Sequence, residues 1–148
     1  MAKSPISSTQ PGVATGALLQ RHGIYPTRQR LAIGRVLFAR HQHLAADCLL
    51  ELVNRRRPRV SRATVYNTLG LFVKKGLVRE IVVDGERIFY DSNTRPHHHI
   101  YNLDTNRLVD LPQQDVDLRC IKGVPENVEM VDVNVVIRVR NAPHATTS

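Results

Sequence analysis

Hydrophobic spacing divides the chain into two parts. Ala17-Leu18-Leu19 leads to Gly23 in the manner of a short helix closed by glycine. Pro26-Thr27 opens a second helix, in which Leu31, Ile33, Val36, Leu37 and Phe38 recur at near-helical spacing. A third is expected from about Ala45, placing His43 near its start and Leu49, Leu50, Leu52 and Val53 inward. It runs into Arg55-Arg56-Arg57-Pro58, where the proline forbids continuation. Ser61 has the character of an N-cap for a fourth helix that reaches Lys75 and stops at Gly76. The spacing then changes: the strand-like runs 77–83 and 87–90 flank Asp84-Gly85, a hairpin signal. Four helices followed by a hairpin predict a winged helix-turn-helix over residues 17–92.

Asn93 to Pro96 reads as a linker. Beyond it, His99 to Leu103 and Arg107 to Leu111 are expected as strands around a turn at Asp104-Thr105-Asn106. Gln114 to Lys122 suggests a brief helix. Val128 to Val139 suggests a long strand buried on at least one face. The fold class is therefore α+β, with the winged helix followed by a small α/β dimerisation domain over residues 97–140. A unit of about 45 residues cannot bury both faces of its sheet alone, which predicts a homodimer paired across a two-fold axis. Residues 1–16 read as a flexible arm and residues 141–148 as a disordered tail.

Charge sharpens the division. Residues 1–95 hold 16 Lys and Arg against 6 Asp and Glu, and residues 96–148 hold 5 against 7. A basic half joined to a mildly acidic half suggests a module for a polyanion and another for a different task. No apolar run approaches the roughly 20 residues that span a bilayer, and the N-terminal stretch lacks the apolar segment of a signal peptide, so a cytoplasmic protein with no membrane partner is expected. Cys48 and Cys120 form no Cys-x-x-Cys pair, which argues against a structural four-cysteine zinc site and a disulfide framework. Cys48 falls on the apolar face of the third helix and reads as core.

Two groups of residues carry chemistry. Arg62, Thr64, Tyr66 and Asn67 lie near the start of the fourth helix, the end that meets base edges in helix-turn-helix proteins. Arginine can bridge guanine, asparagine can bridge adenine, and Thr or Tyr can meet a phosphate or a thymine methyl. Arg57 and Arg59, with Arg55 and Arg56, would hold the backbone of double-stranded DNA. The second group is His97-His98-His99. Alternation along a strand lets His97 and His99 share one face, and His43, Asp91 and Asp110 can complete a ligand set. Three imidazoles and two carboxylates suit a divalent ion such as iron, manganese or zinc, or histidine-ligated haem iron. No nucleophile elbow or phosphate-cradling glycine loop is present, so an enzyme is not expected.

Gly23-Ile24-Tyr25-Pro26-Thr27-Arg28-Gln29-Arg30 resembles the Gly-x-x-x-Thr-x-x-Arg opening of the ferric uptake regulators, and Ala63-Thr64-Val65-Tyr66 followed by Thr68-Leu69 resembles their recognition helix. Gly76-Leu77-Val78, the wing and the histidines follow in family order. The resemblance implies a dimeric, DNA-binding transcriptional regulator, with its regulatory ion on His43, Asp91, His97, His99 and Asp110. It also implies a second site, or haem, on His97, His98, His99 and Asp117. Where many members carry a Cys-x-x-Cys pair, this sequence has Asn102 and Thr105, and Asn67 stands where many have arginine. Both departures are similar to the iron response regulators of alphaproteobacteria, which sense haem and control iron and haem genes. Two other readings stay open: a relative that answers to zinc, manganese or peroxide, and a basic metal-binding protein for storage or buffering.

Overall fold

Thr27 Oγ1 accepts from Arg30 N at 3.2 Å, and Ser61 Oγ accepts from Thr64 N at 3.1 Å. Each hydroxyl satisfies a backbone donor that the first turn of a helix leaves unpaired, and so fixes where that helix begins. The computed structural model describes residues 11–57 and 59–143. The helices are α1 (Pro11–Arg21), α2 (Arg28–Leu37), α3 (Ala46–Asn54) and α4 (Arg62–Lys74). α1 and α4 end alike. Ile24 N bonds to Leu19 O and Gly23 N to Gln20 O; Leu77 N bonds to Phe72 O and Gly76 N to Val73 O. Both glycines have positive φ, 69° and 74°, as this termination requires.

The chain divides into two compact units, Met1–Thr94 and Arg95–Ser148. In the first, the helices bury Leu19, Ile33, Leu37, Leu49, Val65, Leu69 and Phe72 completely. A three-stranded antiparallel sheet completes it, built from β1 (His43–Leu44), β2 (Arg79–Asp84) and β3 (Arg87–Asp91) in the order β1-β3-β2. The wing is the β2–β3 hairpin, which turns at Gly85 with φ 39°. In the second unit, β4 (His98–Asn102) runs antiparallel to β5 (Arg107–Leu111) and parallel to β6 (Val136–Val139). The α+β class with a winged helix holds.

Several boundaries differ from the sequence expectation. The arm expected over residues 1–16 is helical from Pro11, a residue suited to a first turn because its missing N–H has no intrahelical partner to lose. Residues 1–10, Pro58 and residues 144–148 lie outside the described residues. His43 stands on β1 rather than at the start of a helix, because it pairs with a strand nearly 50 residues away that local spacing cannot reveal. Cys48 is exposed: α3 buries Ala46, Leu49 and Val53, and the residue before Leu49 is turned about 100° from that stripe. The brief helix expected over Gln114 to Lys122 is two separate 3-10 turns, Gln113–Asp115 and Leu118–Cys120. The long strand expected over Val128 to Val139 shortens to β6, because only Val136–Val139 pair with β4. Val131 is 93% exposed. Asn141 is not loose: its backbone N donates to Asp104 Oδ2 at 2.8 Å.

Candidate functional site

In the first unit, a ladder brings a histidine to a carboxylate. His43 on β1 stands opposite Asp91 on β3, and directly opposed residues of an antiparallel pair project to the same face. His43 Nε2 lies 3.4 Å from Asp91 Oδ2. Asp91 is fully buried, and its Oδ1 accepts from Asn93 N at 2.8 Å. Gln42 anchors β1 beside α2: its Nε2 donates to the Leu37 carbonyl at 3.1 Å, and its backbone N donates to Ser92 Oγ at 3.2 Å. Beside Asp91, burial and then the charge of Glu80 across the ladder push the Tyr90 hydroxyl above its ordinary value, so it stays protonated at neutral pH.

The second unit repeats the device. His99 on β4 stands opposite Asp110 on β5, with His99 Nε2 3.9 Å from Asp110 Oδ1. His97, two residues earlier, brings Nε2 to 3.3 Å from the same oxygen, and the two imidazoles meet edge to face at 4.5 Å between centroids. Both are buried. The Nδ1 atom of His97 lies 2.6 Å from the Arg95 carbonyl. A carbonyl only accepts, so Nδ1 carries the proton. In the neutral ring, Nε2 then presents a lone pair toward a carboxylate oxygen. A metal ion between the two could accept both as ligands. A carbonyl-bound Nδ1–H also holds a metal-ligating imidazole in orientation. Ligand atoms of His97, His99 and Asp110 lie within 4.8 Å of one another, so these residues fit a divalent ion.

The second predicted set does not assemble among the described residues, since neither His98 nor Asp117 joins a group of three or more metal-ligating side chains. His98 is buried and its Nδ1 accepts from Val135 N at 3.2 Å. That bond places the ring proton on Nε2, where it blocks a ligand lone pair. Asp117 is exposed, and Arg119 grips it with two hydrogen bonds of 2.9 Å that hold its carboxyl below the usual carboxylate range. At the former Cys-x-x-Cys positions, Asn102 Oδ1 accepts from the backbone N of Asp104 and of Thr105. Neither residue offers a thiolate, so a four-cysteine zinc does not fit there.

The expected DNA-reading residues occupy α4 and the segment before it. Arg57, Arg59, Arg62, Tyr66 and Asn67 are exposed, while Thr64 is half-buried with its hydroxyl 2.9 Å from Ser61 Oγ. The helix buries Val65, Thr68, Leu69 and Phe72 on its opposite side. Three residues that sequence reasoning passed over build these sites. Asn54 spans the α3–α4 connection by donating to the Val60 carbonyl at 3.0 Å and accepting from Val60 N at 2.8 Å. Asp47 pairs with Arg62 at 3.0 Å. Arg95 contributes its carbonyl, which no side-chain pattern could have signalled.

Comparison with known proteins follows the same lines. The sequence matches the profile of the Ferric uptake regulator family over residues 21–138. It is 34% identical over 101 residues to a peroxide-responsive repressor of Staphylococcus epidermidis, covering 68% of this chain and 67% of that protein. The chain thus spans about two thirds of that relative's length. The ferric uptake regulator of Pseudomonas aeruginosa, solved with manganese, superposes with TM-score 0.69 at 26% identity, covering 87% of this chain and 98% of that one. The ferric uptake regulator of Vibrio cholerae shares the fold, with TM-score 0.65, 20% identity, and 85% and 98% of the two chains covered.

Proposed function

The chain belongs to the ferric uptake regulator family, and on that premise we propose that it is an iron-responsive transcriptional regulator that binds palindromic operator DNA as a homodimer to control iron genes. The observation that carries the reading is His97 turning a lone pair onto Asp110 while Arg95 fixes its other nitrogen. The reading gives the ion His97, His99 and Asp110 from the second unit, and His43 and Asp91 from the first. DNA affinity then responds to the ion by as much as the ion's own affinity differs between arrangements of the reading heads.

Imidazole and carboxylate donors suit an iron or manganese ion, and a family relative is known with manganese bound. A haem-sensing version would rest on His97 to His99 alone. The Asp110 carboxylate beside the His97 and His99 rings suits a bare divalent ion better than haem iron, so the bare ion is the better supported reading. Dimerisation is supported by Val124, Val128, Met130 and Val131, which lie exposed in the single protomer as a pairing surface would. The basic N-terminal half and the exposed polar face of α4 support double-stranded DNA as the partner. No described helix is long and apolar enough to cross a membrane.

A second reading, response to peroxide, is favoured by the 34% identity to a peroxide-responsive repressor. One experiment separates the readings. A DNA site is selected from a random pool, and its affinity is measured with iron(II), with a chelator, and with iron(II) followed by hydrogen peroxide. The iron reading expects at least about a tenfold change between iron and chelator, a typical coupling between two sites. It also expects palindromic selection and affinity that falls steeply with salt. Loss of binding only after peroxide would favour the second reading. Weak, sequence-blind binding under all conditions would leave a metal-storage protein instead.

A further inference from the structure

Arg62 opens α4 and Asp47 lies in the first turn of α3, and the two meet fork to fork. Nη1 stands 3.0 Å from Oδ1 and Nη2 stands 3.4 Å from Oδ2. One turn along α4, the Tyr66 ring centroid lies 5.4 Å from the guanidinium carbon, and its hydroxyl lies 3.5 Å from Nη2. Both partners of the ion pair are well exposed, at 64% and 62%. Such a pair contributes little to stability, so holding the fold together is a poor account of it. What the pair does fix is direction. A guanidinium carries five N–H donors; the carboxylate takes two and the Tyr66 hydroxyl a third, and two remain for a base edge.

This inference rests on the proposed DNA-binding role of α4. We propose that Asp47 is a specificity-determining residue, which holds Arg62 for a guanine and adds its own preference for the paired cytosine. Guanine offers O6 and N7, two acceptors that match one edge of a guanidinium, and cytosine offers an N4 amino donor that a carboxylate can accept. An unheld arginine at this point would serve equally well on a phosphate, which carries no sequence information. Asp47 opposes that use because its charge repels the backbone. The surroundings act in the same sense: Asp47, Asp84 and Glu86 share the lining of a cavity of about 570 Å³ with Tyr66 and Arg87. Carboxylates so placed beside a reading helix keep phosphates off and leave the arginine to the bases.

The test is a base-substitution profile. A site is selected from random DNA with the wild-type protein in buffer containing manganese(II), and each base pair is then changed in turn. Wild type should discriminate by about tenfold or more at one G·C pair that Arg62→Ala ceases to read. Asp47→Asn, which keeps size and removes charge, should cut that discrimination to about threefold or less while leaving the other positions unchanged. It should also raise affinity for non-cognate DNA, and Asp47→Glu should recover part of the preference. The proposal is overturned if Asp47→Asn retains full discrimination at the Arg62 position. It is also overturned if that variant loses preference at every position together with melting temperature, which would mark a structural role. Selection of no sequence by the wild type would instead sink the DNA-binding reading beneath it.

Discussion

The Nε2 atom of His97 stands 3.3 Å from Oδ1 of Asp110, while the ring's other nitrogen bonds to the Arg95 carbonyl at 2.6 Å. The relationship turns a histidine run, which by itself could be a solvated loop, into a directed donor. One bond sets the tautomer and the other gives the lone pair its target. His99 reaches the same carboxylate through strand register, opposite Asp110 on the neighbouring strand. His43 and Asp91 repeat the arrangement in the first unit, again as opposed residues of a ladder. Neither pairing depends on sequence proximity; both depend on which strand lies beside which.

The helix that begins at Pro11 has a direct stability test. A Cβ added at Gly34 would lie 2.7 Å from Thr15 Cγ2, closer than carbon atoms pack. Replacing glycine with alanine inside a helix ordinarily gains about 1 kcal/mol. Here Gly34→Ala should lower stability by about 1–3 kcal/mol in urea unfolding, the usual cost of overpacking. Thr15→Ser removes only the offending methyl group, so the double variant Thr15→Ser/Gly34→Ala should recover most of the loss. A stabilised Gly34→Ala protein would mean that α1 does not lie on α2 as described.

Ser61 separates folding from function in a second test. Its hydroxyl accepts from Thr64 N at 3.1 Å, and Ser61→Ala should cost about 1 kcal/mol. Ser61→Asp supplies an equivalent cap and should keep the stability. The carboxylate nevertheless adds negative charge at the end of α4 that the proposed function turns toward phosphate. Thermal unfolding should therefore rank Asp with Ser and above Ala, whereas DNA affinity should place Asp lowest. Equal DNA binding by all three would remove α4 from the interface.

Cysteine chemistry checks the position of Cys48. Both thiols are exposed. A small aromatic disulfide reagent should titrate two thiols per chain in the native protein, at rates within about tenfold of those in denaturant, because access and not burial then governs reaction. A single fast thiol would return Cys48 to the core.

The sequence was most legible where a local rule decides the outcome. Thr27, Ser61, Gly23 and Gly76 mark helix ends through bonds that reach three to five residues, and each stands where spacing predicts. The candidate ligands His43, Asp91, His97, His99 and Asp110 were singled out through family resemblance, but the contacts that orient them were not legible. Those contacts depend on the pairing of β1 with β3 and of β4 with β5. α1 was read too short because Thr15 and Gly16 look like linker composition, and only the close approach of Gly34 explains why Thr15 is buried. The strand expected from Val128 was read too long. An apolar run satisfies the pattern of a buried strand, yet within one protomer only Val136–Val139 stand in ladder register with a neighbouring strand.

The most direct test of the central claim is a calorimetric titration of the purified, chelator-stripped protein with manganese(II), compared among wild type, His97→Ala and Asp110→Ala. If His97 and Asp110 hold the ion, wild type binds one ion per chain at this site. Each substitution then weakens that binding by at least about a hundredfold, the upper range for disturbing a ligand's support, while melting temperatures without metal stay close together. Both variants binding manganese(II) as tightly and in the same ratio as wild type would contradict the account.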